Sequence, residues 1–254
     1  MIVIAISVLV ALFLVVPLLI TVPMSFSTVP SFQFPPSSYG FTYYKAYFTN
    51  PDWIEATSNS IVIALFTTIL TLLIVIPAAM AFVRYRFGMR KQANILIMLP
   101  MMMPHVVAAL AFYSFFSYLG MSGTKLGMVL AHTALATPFV VITVTATLST
   151  YDANLTRAAL SLGAPQTSAF FRVTLPNIMP GVVSGAIFAF ATSFDEVVVA
   201  LFMTAAEQRT LPVQMFSGIR DQINPTIMAA ATLLLALSIL LFLALAFLTR
   251  RRAG

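Results

Sequence analysis

The sequence contains no cysteine, so neither a disulfide framework nor a thiolate metal site can form. Charge is scarce as well, since only 8% of the 254 residues are Asp, Glu, Lys or Arg, against roughly 25% in soluble domains. The nucleotide-binding pattern G-x-x-x-x-G-K-[ST] does not occur, so the chain cannot bind ATP in that way. The chain is instead rich in apolar residues: 60% of its residues are hydrophobic and the mean hydropathy is +1.00. This composition indicates a protein whose solvent is lipid.

Six apolar runs each reach the roughly 20 residues that a helix needs to cross a bilayer. They are Ile2–Val22, Asn59–Val83, Ala93–Leu119, Leu126–Leu148, Gly181–Met203 and Thr226–Leu248. Prolines 77, 100, 104 and 138 fall within these runs and predict kinks, which membrane helices tolerate. We interpret the first run as a retained helix, since no A-x-A-like signal cleavage site follows it. The sequence thus predicts an all-α, multi-pass membrane protein with six transmembrane helices and a single domain, 1–254.

The distribution of Lys and Arg predicts the orientation of these spans. With a cytoplasmic amino terminus, nine of the 13 basic residues fall on the cytoplasmic side: Arg84, Arg86, Arg90, Lys91, Arg157, Arg172, Arg250, Arg251 and Arg252. The four on the opposite side are Lys45, Lys125, Arg209 and Arg220. The positive-inside rule therefore predicts that both termini are cytoplasmic. The net charge of +6 then reflects membrane topology, and we expect no nucleic-acid partner.

A long polar segment interrupts the C-terminal half from Arg157 to Pro176, with the sequence RAALSLGAPQTSAFFRVTLP. Its spacing resembles the cytoplasmic coupling motif of permease subunits in binding-protein-dependent ABC importers, written E-A-A, three residues, G, nine residues, I-x-L-P. The positions that match are Ala158, Ala159, Gly163, Leu175 and Pro176, with Val173 in place of isoleucine. Arg157 stands where the family has glutamate, which calls into question the ion pair of that glutamate with the ATPase.

The local sequence predicts how the loop 149–176 folds. A polar turn at 150–154 offers helix caps, the alanine-rich stretch Leu155–Leu162 favours a short helix, and Gly163 is a natural stop. The resemblance implies that this helix, together with Ala164, lies parallel to the membrane and couples the permease to a cytoplasmic ATPase. The alternative is an ordinary amphipathic loop on the membrane surface.

The resemblance extends over almost the whole chain. Segments similar to these permeases are Asn59–Ile61, Ala81–Phe87 and Leu99-Pro100, and those similar to the spermidine/putrescine branch are Ser193–Val198, Leu211-Pro212, Ile219-Arg220 and Asn224-Pro225. It implies the type I ABC importer permease fold in a bacterial inner membrane, with a coupling-helix loop between helices four and five. It further implies two ATP-binding subunits, a second homologous permease and an extracytoplasmic solute-binding protein as partners. No catalytic residue, metal or cofactor is expected.

The resemblance to the polyamine branch implies putrescine or spermidine as the substrate. Opines, aminophosphonates, 4-aminobutyrate and ferric ion, which similar importers carry, stay open as alternatives.

The polar segment Ser193, Asp195 and Glu196 is the candidate substrate pathway. On a continuous helix from Gly181, Asp195 would lie about 21 Å into the span. A charged side chain at that depth is costly unless it faces a cavity or a partner. Consecutive residues point about 100° apart, so the two carboxylates cannot share one face. In this interpretation one of the two carboxylates lines the pathway, and the sequence does not say which of them does so. The alternative is that both make buried hydrogen bonds or pair with another subunit.

Two other classes of membrane protein are weaker interpretations. The segment Gly120–Gly123 matches the G-x-S-G pattern of rhomboid-like proteases, but Ser122 lies in a predicted outer loop only ten residues before His132. A transporter without an ATPase would also hold membrane carboxylates, but the coupling-type loop argues against it. His132 and His105 stand alone in apolar helices, which favours packing over metal binding.

An outer segment rich in aromatic residues separates the first two spans. Phe41–Phe48, followed by Trp53, predicts a short helix at the membrane interface, where aromatic side chains are common. The alternative role is to receive a cationic substrate on aromatic faces.

Overall fold

A computed structural model of the chain describes residues 2–30, 33–85, 87–221 and 225–250. Four residues used above, Arg86, Asn224, Arg251 and Arg252, lie outside this described part. The described residues form twelve α-helices and no strand, with one isolated antiparallel bridge between Ser27 and Tyr39. The prediction of an all-α protein is confirmed.

The helices follow one another along the chain with short connections. They are α1 (Ile2–Ser25), α2 (Thr42–Thr49), α3 (Pro51–Arg84), α4 (Arg90–Met102), α5 (His105–Tyr118), α6 (Lys125–Thr150), α7 (Ala153–Ser161), α8 (Gln166–Ala169), α9 (Leu175–Phe194), α10 (Val198–Met203), α11 (Leu211–Asp221) and α12 (Thr226–Arg250). A π-helical turn, Phe170–Thr174, joins α8 to α9, and a 3₁₀ turn, Ala206–Gln208, follows α10.

Among the described residues, four helices are long and apolar enough to cross a membrane. They are Ile6–Ser25, Pro51–Arg84, Lys125–Thr150 and Gln166–Phe194. The first, second and fourth predicted spans are thereby confirmed as helices of spanning length. The sixth predicted span lies in α12. The apolar part of α12 whose side chains are described, Thr226–Leu241, is shorter than a membrane span.

The third predicted span is broken in two, which corrects the expectation of a kinked helix. The pair α4 and α5 is bent by 109° at Met103 and Pro104. Proline lacks an N–H and pushes the residue before it into extended conformations, and Met103 has the extended values φ −81° and ψ 144°. Pro100 lies within α4 and does not interrupt it.

The fifth predicted span, Gly181–Met203, is also corrected. The long helix begins earlier, at Gln166, and ends at Phe194, before Asp195 and Glu196. The chain then restarts as the short helix α10. The hydropathy of the sequence did not reveal this break because the residues on both sides of it are apolar.

The chain divides into two compact units, Met1–Ser58 with Leu211–Leu240, and Asn59–Thr210 with Leu241–Gly254, and two of the boundaries lie within α3 and α12. The first contains the aromatic outer segment, and α2 confirms the short helix predicted there. Its Tyr47 is buried, packs on Trp53 with ring centroids 5.6 Å apart and shares a 2.6 Å hydrogen bond between its hydroxyl and that of Thr57. These contacts favour packing as the role of the two rings. The assignment of residues 1–254 to one domain stays a prediction.

The second unit is built around the contact between α6 and α9. Buried small and β-branched residues fill it, including Ala136, Val140, Val144, Ile178 and Val182. Small residues let membrane helices approach closely, and Gly181 and Gly185 provide a small-x-x-x-small face on α9. This contact holds the two helices that carry the candidate functional segments at their ends.

We expect Gly181→Ala to weaken this contact. The new Cβ would lie 2.8 Å from the Thr143 carbonyl oxygen and 2.7 Å from the Thr147 Cβ, and a backbone atom cannot move aside cheaply. Overpacking of this kind costs about 1–3 kcal/mol. The measurement is the melting temperature of the purified protein in detergent. Gly88→Ala is the matched control, because its Cβ would meet nothing within 4 Å. Equal melting temperatures for both variants would contradict the prediction.

Candidate coupling segment and acidic helix break

The predicted coupling helix is present as α7. It begins two residues earlier than predicted, because Asp152 caps its start: the Asp152 carboxylate accepts a 2.9 Å hydrogen bond from the Asn154 N–H. Such a cap satisfies one of the free N–H groups at a helix start.

The C-terminal end of α7 is closed by a Schellman motif at Gly163. Gly163 has φ +87°, a conformation that only glycine adopts easily. The Gly163 N–H donates to the Leu160 carbonyl, and the Ala164 N–H donates to the Ala159 carbonyl. A Cβ at position 163 would meet no atom within 4 Å, so the requirement for glycine comes from the backbone alone.

The outer face of α7 presents apolar and basic side chains. Leu155 and Leu162 are exposed, Leu162 by 89%, as are Arg157 and Ala158, whereas Ala159 is half-buried. The Arg157 guanidinium donates a 3.3 Å hydrogen bond to the Asn154 side-chain oxygen. This face therefore offers an apolar and cationic surface to another molecule.

Hydroxyl groups tie α7 to the start of α9. Thr156 shares hydrogen bonds with the hydroxyls of Tyr151, at 2.7 Å, and Thr174, at 3.0 Å. Thr174 is fully buried and lies next to Val173 and Leu175, which are half-buried. The two halves of the motif are thus held together. Sequence analysis missed this link because it joins residues 18 positions apart.

The π-turn at Phe170–Thr174 lies directly before Pro176. The Leu175 N–H donates to the Phe170 carbonyl, five residues back, in place of the usual four. Proline cannot donate to the carbonyl four residues before it, and its ring crowds that carbonyl, so a wider turn relieves the crowding. Pro176 itself is exposed.

Asp195 and Glu196 lie in the gap between α9 and α10 and differ in environment. Glu196 is buried, and its Oε1 accepts a 2.9 Å hydrogen bond from the Val199 N–H in the first turn of α10. Its Oε2 lies 3.9 Å from Nδ1 of His105, the first residue of α5. The carboxylate thus satisfies a helix N-terminus, where negative charge is favourable, and brings the two helix breaks together.

Asp195 is the acid that remains accessible. Its backbone N–H closes α9 by donating to the Ala191 carbonyl, and its side chain is exposed. In this conformation Asp195 is thus exposed and Glu196 is buried, and the contact of either carboxylate with a substrate stays a prediction.

Ser193, in the last turn of α9, is buried against α6. Its hydroxyl shares a 2.8 Å hydrogen bond with Nδ1 of His132, which is 1% exposed. His132 is thus packed and hydrogen-bonded, and it pairs with Ser193 instead of Ser122.

A further polar contact was not foreseen. The buried Asn59 side chain donates 3.1 Å hydrogen bonds to the carbonyls of Glu207 and Arg209, almost 150 residues away. It holds the connection that follows α10 against α3. The sequence signal for this contact was the side-chain amide of Asn59 at the start of an apolar run.

The described residues of the second unit thus combine long apolar helices with a capped helix on a polar loop and a broken helix beyond it. A family model described as binding-protein-dependent transport system inner membrane component matches residues 74–254. The chain belongs to this family of importer permease subunits, which transport and do not catalyse a reaction.

Relatives with assigned substrates cover most of the chain. The spermidine/putrescine permease PotC of Haemophilus influenzae is 30% identical over 84% of this chain and 83% of its own length. The putrescine permease PotI of Escherichia coli is 36% identical over 61% of this chain and 58% of its own length. The molybdenum permease ModB of Mycobacterium bovis is 32% identical over 75% of this chain and 77% of its own length.

A solved structure has the same fold. The crystal structure of a bacterial ABC transporter that imports alginate matches with a TM-score of 0.77 at 18% identity, covering 100% of this chain and 96% of that one. The importer permease fold implied by the sequence resemblance is therefore confirmed.

We expect Glu196→Ala to destabilise the protein more than Glu196→Gln. Alanine leaves the buried Val199 N–H without an acceptor, which costs about 1–3 kcal/mol, whereas glutamine keeps an oxygen there. The melting temperature of the purified protein measures both. Asp195→Asn, a change of an exposed neighbour, is the control and should leave it unchanged. A native melting temperature for Glu196→Ala would refute the capping role.

Proposed function

We propose that the chain is one of two permease subunits of an importer that carries a polyamine inward across the bacterial inner membrane. Two cytoplasmic ATP-binding subunits drive it, and an extracytoplasmic solute-binding protein delivers the substrate. Both termini of the chain are cytoplasmic in this proposal, as the distribution of basic residues favours.

The observation that carries the transport role is the geometry of α7. Its exposed face is available to a partner, while its inner face is fastened through Thr156 to Thr174 at the root of α9. A displacement of α7 by an ATPase is therefore transmitted to a long membrane helix. Arg157, Ala158, Ala159, Gly163 and Ala164 form the contact side of this proposal.

The rest of the motif attaches the contact to the membrane. Val173, Leu175 and Pro176 lie in and after the π-turn, where the coupling segment becomes α9. At the far end of α9, its last turn and the break after it hold Ser193, Asp195 and Glu196. We assign Asp195 to the pathway and Glu196 and Ser193 to holding its surroundings in place.

The substrate follows from the sign of the charge and from the relatives. An exposed carboxylate at a helix break attracts a cation, and PotC and PotI are named for polyamines. Sequence identity to the relatives does not by itself decide the substrate, since ModB, which is named for molybdenum, is also 32% identical to this chain. An acid in the path suits a di- or polyammonium substrate better than an oxyanion.

We expect Gly163→Pro to abolish transport without preventing membrane insertion. Proline fixes φ near −65°, whereas position 163 needs +87°, and it removes the N–H that bonds to Leu160. The measurement is ATP-dependent uptake together with the amount of assembled complex. Gly163→Asn is the matched control, because asparagine tolerates positive φ, and it should retain most of the uptake. Full transport by the proline variant would remove the coupling assignment.

We expect Asp195→Asn to reduce polyamine uptake about tenfold or more. A hydrogen bond between ionised groups contributes about 1.5–3 kcal/mol, and the amide keeps the size but not the charge. The measurement is ATP-dependent uptake of labelled putrescine and spermidine by proteoliposomes holding the full complex and its binding protein. Asp52→Asn, which removes an exposed acid in the first turn of α3, is the control.

Two results would overturn parts of the proposal. Native uptake by Asp195→Asn would remove this acid from the pathway. Binding-protein-stimulated ATP hydrolysis with no polyamine uptake, but with uptake of molybdate, would keep the importer and replace the substrate.

A further inference from the structure

A cavity of about 900 Å³ lies in the second unit between the end of α3, α4 and the C-terminal half of α6. Its polar lining comes from Arg90, Lys91 and Asn94 on α4 and from Thr145 and Ser149 on α6. None of its lining residues belongs to the acidic helix break or to the contact side of α7.

The rest of the lining is apolar. Along α4 the lining changes from Arg90 to Met98 two turns later, and along α6 it changes from Ser149 to Val141. Met98 packs against the core cluster that contains Val141, so the apolar parts of the lining on α4 and α6 lie together. The cavity therefore has a cationic, hydroxyl-bearing end and an apolar end.

Within the described part of the chain, no acidic side chain forms an ion pair with the cations at the polar end. Arg90 and Lys91 are exposed, and none of the described lining residues is acidic. A ligand with an anionic head and an apolar tail complements this lining in both charge and polarity.

We propose that this cavity binds one anionic glycerophospholipid of the phosphatidylglycerol type. Its phosphate lies between the Arg90 guanidinium and the Lys91 ammonium, and an acyl chain lies against Met98 and Val141. Guanidinium and ammonium groups both donate charge-assisted hydrogen bonds to phosphate. The hydroxyls of Thr145 and Ser149 donate to the carbonyls of Val141 and Ala146 on α6, so they act toward the lipid as acceptors for the glycerol hydroxyls of its head group.

This inference rests on the orientation given under the proposed function. That orientation puts the start of α4 at the cytoplasmic leaflet, where basic pockets between membrane helices meet anionic lipid head groups. The bound lipid would join α4 to α6 at the level where α6 runs into the coupling segment. It would then act as a structural part of the inner half of the permease.

The test is lipid binding by the purified, delipidated importer complex, measured by native mass spectrometry. Phosphatidylglycerol is titrated against phosphatidylcholine with the same acyl chains. We expect one phosphatidylglycerol to bind in preference to phosphatidylcholine. The double variant Arg90→Gln/Lys91→Gln should weaken this binding about 30-fold, since each cation near an anionic lipid contributes about a fivefold factor. Lys125→Gln/Arg209→Gln, which removes two exposed cations elsewhere, is the matched control and should bind as the native protein does.

A second variant distinguishes binding of a lipid in the cavity from binding of a free anion. Ala146 is exposed and lines the cavity, so Ala146→Trp fills it without removing a charge. Loss of phosphatidylglycerol in this variant supports the lipid site. Native binding by Ala146→Trp, with displacement of the lipid by millimolar inorganic phosphate, would identify a phosphate site and overturn the proposal. Equal binding by native and Arg90→Gln/Lys91→Gln complexes would overturn it as well.

The experiment is independent of the substrate. Lipid binding needs neither ATP nor polyamine, so a complex that takes up spermidine but does not select phosphatidylglycerol refutes only the lipid site. A complex that selects the lipid but transports no polyamine refutes only the substrate.

Discussion

A bilayer offers backbone N–H and C=O groups no water, so a chain within it has to satisfy them from its own atoms. The two broken helices show how this protein meets that constraint. At Asp195–Val197 the new helix α10 starts with free N–H groups, and the Glu196 carboxylate supplies an acceptor for Val199. The same carboxylate approaches His105 at the other break. One buried acid thus permits two irregular backbone segments to lie side by side, and it leaves the adjacent acid, Asp195, free to serve another purpose.

The helix α9 connects the two candidate functional segments. It has 20 residues, about 30 Å of length, with the coupling motif at its start and the acidic break at its end. Gly181 and Gly185 hold it tightly to α6 along the way. In the proposed transport cycle, a push on α7 would reach α9 through Thr156 and Thr174 and would be felt where Asp195 lies. A closely packed pair of helices suits this role because it moves as a body and does not absorb the displacement by bending.

The sequence predicted local structure well and long-range structure poorly. The caps and the glycine around α7 are short-range signals, and the helix was placed to within two residues. Proline 104 was interpreted as a kink, although the same chemistry can end a helix, as it does here. The break after Phe194 has no proline, and the groups that Glu196 contacts there lie in the next helix and on α5, so no local pattern marks the break. The contacts of Ser193 with His132 and of Asn59 with the 207–209 connection join distant positions, which no periodicity encodes.

The π-turn before Pro176 also sets an angle. A π-turn holds one residue more than an α-turn, and each residue of a helix corresponds to about 100° of rotation about its axis. The segment that leads back to α7 therefore joins α9 at an azimuth about 100° away from the one that an uninterrupted α-helix would give. Shortening Phe170–Thr174 by one residue would hardly change the reach of the coupling segment, but it would rotate the exposed face of α7 by about 100° about the axis of α9. In the proposed function, the direction in which the coupling segment faces the ATPase is thus set by the residue count of a single turn.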